Sequence, residues 1–186
     1  MDFVEGEILA FDKPYRWTSF DVVGKARWLL CHKLGVKKLK VGHSGTLDPL
    51  ATGVVVVCTG KKTKLIDQLQ AHQKEYVATL QLGATTPSFD LEKEIDATYP
   101  TEHITRALIE EVIPTFVGEQ WQVPPMFSAV KVDGKRAYKL ARKGEEVELK
   151  PKLLVIDEIE ILDFVKASMQ LTIRVVCSKG TYIRAL

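Results

Sequence analysis

The stretch whose reading decides the fold is "VELKPKLLVIDEIEILDFVKASMQLTIRVVC", residues 147–177. Val147 to Leu162 and Met169 to Cys177 read as two long β segments, rich in β-branched residues and joined through Asp163 to Ser168. A connection this short returns the chain beside itself, which favours antiparallel pairing; a parallel neighbour needs a long crossover. The expected class is therefore α+β, with a mixed, mainly antiparallel central sheet flanked by helices, and not a doubly wound parallel sheet.

Working outward, "KEYVATLQLG" (74–83) alternates as a strand with Tyr76, Ala78 and Leu80 on one face. "GVVVVCTG" (53–60) is a buried strand by its β-branched run, and "EILAF" (7–11) is a short strand ending at Asp12-Lys13-Pro14. Thr18 or Ser19 caps a helix through "FDVVGKARWLL" (20–30), whose apolar residues Phe20, Val23, Trp28 and Leu30 are expected on one side. Shorter helices are expected over Lys64 to Leu69, from about Ile104 to Val112, and over "RAYKLARKG" (136–144), which stops at Gly144. The closing "KGTYIRAL" reads as the first turn of a helix, where a compact domain rarely stops. A single domain over 1–186 is expected, C-terminally incomplete and with weakened activity or stability.

Composition narrows the function. A chain that is 46% hydrophobic and 27% charged is an ordinary globular one. Its net charge of +2 hides a segregation. From Gly24 to Lys64 stand nine basic side chains and one acid, Asp48, whereas Glu75 to Val112 carries eight acids against Lys93 and Arg106. A positive face for a polyanion follows from such a pattern, as does an ordinary solvated surface. Cys31, Cys58 and Cys177 are odd in number and far apart, which fits a reduced, cytoplasmic protein without a cysteine-held metal. No H-x-x-x-H spacing suggests a metal, the N-terminus is acidic where a signal peptide is basic, and the apolar run Val54 to Cys58 is too short to span a membrane.

"GVVVVCTGKKT" resembles a phosphate-binding loop only superficially. Six residues separate Gly53 from Gly60 where the Walker pattern has four, and Lys62 displaces the hydroxyl. In "GHSGTLDPLATG" (42–53), Asp48 lies between Gly-Thr-Leu and a proline that forces extended geometry on it. Such a loop is a turn, a presented carboxylate, or both. A hydrolytic glycosidase needs a second carboxylate, and only Asp90 is available, from a distant part of the chain.

Five segments together resemble the TruB-type tRNA pseudouridine synthases: "FDKPYRWTS" (11–19), "GHSGTLDPLATGVVVVCTGKKTK" (42–64), "KEYVATLQLGATT" (74–86), "QVPPMFSAVKVDGKRAYKLARKGEEVE" (122–148) and "CSKGTYIRAL" (177–186). The resemblance implies the pseudouridine synthase fold with a cleft across the sheet, no cofactor, and isomerisation of uridine in the T loop of tRNA by a cytoplasmic monomer that needs no protein partner. Asp48 matches the catalytic aspartate, whose role as nucleophile or base stays open. Arg184 matches an arginine expected to pair with that carboxylate and lower its pKa by about 1 to 3 units. Tyr76 matches the tyrosine that stacks on the target base, and Tyr182 is a second pocket residue. His43 matches a residue that fills the space left by flipped nucleotides, Lys64 meets phosphate with its basic neighbours, and Asp90 is a further site residue. Lys13, Pro14 and Gly45 are expected to support the catalytic loop. Lys93 stands where the family has a glycine, so the turn after Asp90 is expected to differ. The competing readings are a non-catalytic tRNA-binding or RNA-folding module and an RNA-guided synthase subunit of a ribonucleoprotein.

Overall fold

A computed structural model describes residues 1–128, 130–132, 134–141, 143–145 and 148–186. The chain divides into two compact units, Met1–His72 and Gln73–Leu186.

In the first unit, β1 (Ile8–Lys13), α1 (Ser19–Leu34), β2 (Val41–His43) and β3 (Gly53–Thr59) precede a 3-10 turn, Gly60–Leu65, and α2 (Ile66–Ala71). The three strands form an antiparallel sheet in the order β1-β3-β2. β3 lies in the middle because its residues tolerate full burial: Val55, Val57, Cys58 and Thr59 have almost no exposed surface. Val22 and Val23 of α1 pack with Val55, Val57, Leu39 and Val41. Gly60 is obligatory where β3 ends, since it has φ +52° and a Cβ there would lie 2.1 Å from the Val4 carbonyl oxygen.

Thr18 is the N-cap of α1. Its hydroxyl accepts from the Asp21 amide, while the Asp21 carboxylate accepts from the Thr18 amide, a capping box. The Thr18 hydroxyl also donates to that carboxylate at 2.7 Å, and this bond and the one from the Thr18 amide hold the Asp21 carboxyl below its ordinary value. The cap also sets the helix phase, and here the sequence expectation needs correcting. Ser19, Val22, Val23 and Ala26 face inward, whereas Phe20 and Trp28 are 66% and 61% exposed. Trp28 follows Ala26 by two residues, more than half a turn of an α-helix, so it cannot share the buried stripe. A tally of apolar residues without the phase put both aromatics on the wrong side.

The second unit holds β4 (Lys74–Gln81), β5 (Ala84–Thr85), β6 (Ala97–Thr98), α3 (Arg106–Val112), β7 (Gly118–Gln122), β8 (Lys131–Val132), β9 (Lys135–Arg136), α4 (Ala137–Ala141), β10 (Lys152–Val165) and β11 (Gln170–Cys177). Its main sheet runs β4-β11-β10-β7, antiparallel throughout. The decisive hairpin is β10–β11. Its turn, Lys166 to Met169, is tighter than the expected Asp163 to Ser168, because Phe164 and Val165 still pair with Leu171 and Gln170. Val147, where that β segment is expected to start, and Arg142 in the helix ending at Gly144 lie outside the described residues.

One sheet face forms the second core. Leu154, Ile156, Leu171, Ile173, Val175 and Cys177 pack with Ile109 of α3, and the alternation of β4 adds Tyr76, Ala78 and Leu80. On the other face Arg174 bridges Glu75, Glu158 and Glu160 across three strands. The α+β class with antiparallel pairing is as expected, with the longer strands divided between two sheets. Among the described residues no helix is long and apolar enough to cross a membrane.

Candidate active site

The loop carrying Asp48 connects two paired neighbours, β2 and β3, so both of its ends are fixed by the sheet. Three side chains or amides from the segment after β1 grip its main chain. Lys13, at the end of β1, is fully buried, and its ammonium donates to the carbonyls of Trp17 (2.5 Å), Pro14 (3.1 Å) and Pro49 (3.3 Å). The Arg16 amide donates to the same Pro49 oxygen at 2.8 Å. The Ser19 hydroxyl accepts from the Leu47 amide at 2.9 Å. Inside the loop, the Ala51 amide donates to the Asp48 carbonyl at 3.0 Å, closing a turn around Pro49.

Electrostatics tie the loop to its support. Burial pulls the Lys13 ammonium below its ordinary value, and the nearby Asp48 and Asp21 carboxylates act in the opposite direction. An ammonium without water is tolerated here because three carbonyl oxygens replace its hydration. Asp48 itself is half-buried. His43, the last residue of β2, makes an Nδ1 contact of 2.6 Å with the Gly45 carbonyl, which fixes the imidazole against the start of the loop. Pro14 is exposed and contributes through its carbonyl, and Gly45 has open space where a side chain would stand.

Lys64 is exposed on the 3-10 turn after β3. Its expected companions are partly occupied: Lys61 pairs with Glu5 at 2.7 Å and Lys62 lies 3.8 Å from Glu7.

The remaining sequence-derived site residues belong to the second unit. Arg184, 11% exposed, donates to the carbonyls of Ser88 (2.9 Å) and Phe127 (2.6 Å) and lies 3.7 Å from Asp90 Oδ2. Asp90 also accepts from the Ser88 hydroxyl at 2.6 Å and from the Glu92 amide at 3.0 Å. The Tyr182 main chain is clamped by one side chain: its amide donates to Gln122 Oε1 (2.9 Å) and its carbonyl accepts from Gln122 Nε2 (3.1 Å). Tyr76 is half-buried on the core face of β4. The structure thus brings Asp48, His43, Lys13, Pro14 and Gly45 together in one unit, and Arg184 and Asp90 in the other.

Sequence reasoning missed Ser19 as the loop's anchor, and Ser88 and Gln122 as positioning residues. The adjacent hydroxyls of "TS" (18–19) held a usable signal for the first, since only one of them can cap the helix. Ser88 and Gln122 act through contacts 96 and 60 residues away in sequence, for which no local pattern exists.

Comparison with known proteins places this geometry. The family described as "TruB family pseudouridylate synthase (N terminal domain)" matches residues 32–183. The tRNA pseudouridine synthase B of Phocaeicola vulgatus is 70% identical over 186 residues, covering 100% of this chain and 78% of that protein. The protein of the same name from Flavobacterium johnsoniae is 53% identical, covering 100% of this chain and 80% of its own. Among solved structures, a chain in a Cbf5-Nop10-Gar1 complex is similar with a TM-score of 0.67 and 28% identity over 98% of this chain. One in an H/ACA RNP bound to a substrate RNA containing 2′-deoxyuridine gives 0.63 and 25%. The present chain spans only 42% and 41% of those two chains.

Proposed function

This chain belongs to the TruB family of pseudouridylate synthases, and from that premise we propose that it isomerises uridine to pseudouridine at position 55 in the T loop of tRNA, with Asp48 as the catalytic carboxylate. In this reaction the bond between C1′ and N1 breaks, the uracil turns while bound, and C5 bonds to C1′. The hydrogen on C5 then leaves as a proton and N1, freed from the sugar, takes one up. Oxidation state is unchanged overall, so neither hydride carrier nor activated donor enters the balance.

The observation that carries the reading is the loop after β2. Its anchors Lys13, Arg16 and Ser19 grip main-chain atoms of residues 47 and 49, on either side of Asp48. A carboxylate held this way starts near its reacting geometry, either to add to C1′ or to take a sugar proton. Tyr76 and Tyr182 are assigned to holding the uracil, Arg184 to the Asp48 carboxylate as the resemblance implies, His43 to the flipped T loop, and Lys64 to phosphate, with Asp90 as a further site residue. The enzyme acts in the cytoplasm as a monomer on free tRNA.

Tritium release from tRNA carrying 5-tritiated uridine tests this directly, because the new C5 bond expels that hydrogen. The intact protein is expected to release tritium and Asp48→Asn to release none; equal release from both would sink the assignment. The likeness to a chain of an H/ACA RNP bound to a substrate RNA favours an RNA-guided subunit as the second reading. Release from a bare T-stem hairpin, without guide or partner, decides against it.

A further inference from the structure

The outward face of α1 is not explained by the proposed chemistry. Trp28 is 61% exposed there, and its ring stacks with that of His32 at 5.9 Å and an interplanar angle of 5°. The Lys25 ammonium lies 5.1 Å from the indole centroid. Beside this stack, at the C-terminal end of the helix, runs a groove of about 370 Å³ lined by Trp28, Cys31, His32, Gly35, Val36 and Lys37. The groove is shallow and open, with space for a planar ring laid beside the indole.

Charge identifies what belongs there. No acid occurs from Val22 to Leu47, whereas Lys25, Lys33, Lys37, Lys38 and Lys40 are all exposed. An exposed indole set among lysines is the composition of a base-stacking platform, in which the aromatic face holds a base and the cations hold its phosphates. An acidic protein would find the charge but has no particular use for the exposed indole beside it. We propose that this groove is a second RNA contact, taking one unpaired nucleotide with its base against Trp28 and its phosphate near Lys37. The inference rests on the tRNA reading only for the identity of the RNA, not for the contact itself.

Cys31 provides a local readout, because it is the half-buried thiol in the groove while Cys58 and Cys177 are fully buried. Alkylation of Cys31 in the wild-type chain is expected to slow several-fold when tRNA or an unstructured oligouridylate is added. The Trp28→Ala variant is expected to lose that protection, to bind either RNA between about 5- and 150-fold more weakly, the usual span for one base stack, and to raise KM with kcat unchanged. Trp28→Phe should retain most of the affinity, and Lys37→Ala should reduce the salt dependence of binding by about one phosphate contact. Unchanged Cys31 labelling at saturating RNA overturns the proposal, as does wild-type affinity in Trp28→Ala. Protection that rises with protein concentration in the absence of RNA also overturns it, in favour of a second copy of this chain. Protection by RNA without tritium release would count against the proposed reaction and leave this contact standing.

Discussion

Each unit of the molecule holds a carboxylate in a tight turn, and the two turns are built in opposite ways. Around Asp48 the positive charge, Lys13, grips carbonyl oxygens of the main chain. Around Asp90 the carboxylate is itself part of the fastening, accepting from Ser88 and Glu92 with Arg184 at 3.7 Å. Lys13 thus fixes the main chain that carries Asp48. A cation that binds carbonyls and a carboxylate together makes the acid structural. The group proposed to react, Asp48, and the one proposed to support, Asp90, thus stand in turns that are fastened differently.

Substitutions that unfasten one turn at a time put this to the test. Lys13→Met keeps the length of the stem but leaves the Trp17 and Pro49 carbonyls short of a donor. A loss of about 2 to 4 kcal/mol is expected in urea denaturation. Tritium release should fall by more than tenfold, and Cys58, in the same unit, should react faster with a thiol reagent. Asp90→Ala strips acceptors from Ser88 and Glu92 and leaves Arg184 without that carboxylate, for an expected cost of about 1 to 2 kcal/mol. Here Cys177 should label faster and Cys58 should not. Acceleration of both thiols by either substitution would erase the distinction between the turns.

Alkaline titration sharpens the same contrast. Burial raises both buried thiols above the ordinary value of 9.0, Cys58 in the first sheet and Cys177 in the second. The protonated thiol is favoured in the folded state, so its contribution is complete below pH 9.0 and is lost as pH rises from there through the folded value. Cys58→Ala and Cys177→Ala should each flatten the alkaline fall in melting temperature; an unchanged fall in both would refute the linkage. The smallest effect is a gain. A Cβ on Gly24, inside α1, meets nothing within 4 Å, so Gly24→Ala should stabilise by about 0.5 to 1 kcal/mol in the same denaturation measurement.

What could be read in advance followed from local physics. A helix cap at Thr18 or Ser19, the buried run of β3 and the inward face of β4 with Tyr76, Ala78 and Leu80 are each written in a few consecutive residues. The β10–β11 hairpin was equally legible, although its turn was placed too wide. The exposed Trp28 was not, because helix phase depends on which hydroxyl caps, and Ser19 was free to do so until the fold assigned it to Leu47. Burial of Lys13 was out of reach for a different reason. Lysine is almost never fully buried, and only the convergence of the Pro14, Trp17 and Pro49 carbonyls makes it tolerable. For the Asp48 loop the turn was legible and its fastening was not.

The hydrogen bonds of that fastening also set a clock. The amides of Arg16, Ser44, Leu47 and Ala51 are all donated within the first unit, to Pro49, Val56, Ser19 and Asp48 respectively. Loops of this length ordinarily exchange their amide hydrogens with solvent quickly, as independent segments. This one is tied at both stems to neighbouring strands and along its middle to a buried ammonium, so its amides are expected to exchange on the timescale of the sheet that carries it, which hydrogen–deuterium exchange would check. Whatever moves during a catalytic cycle, the carboxylate proposed to react is expected to belong to the slow part of the protein.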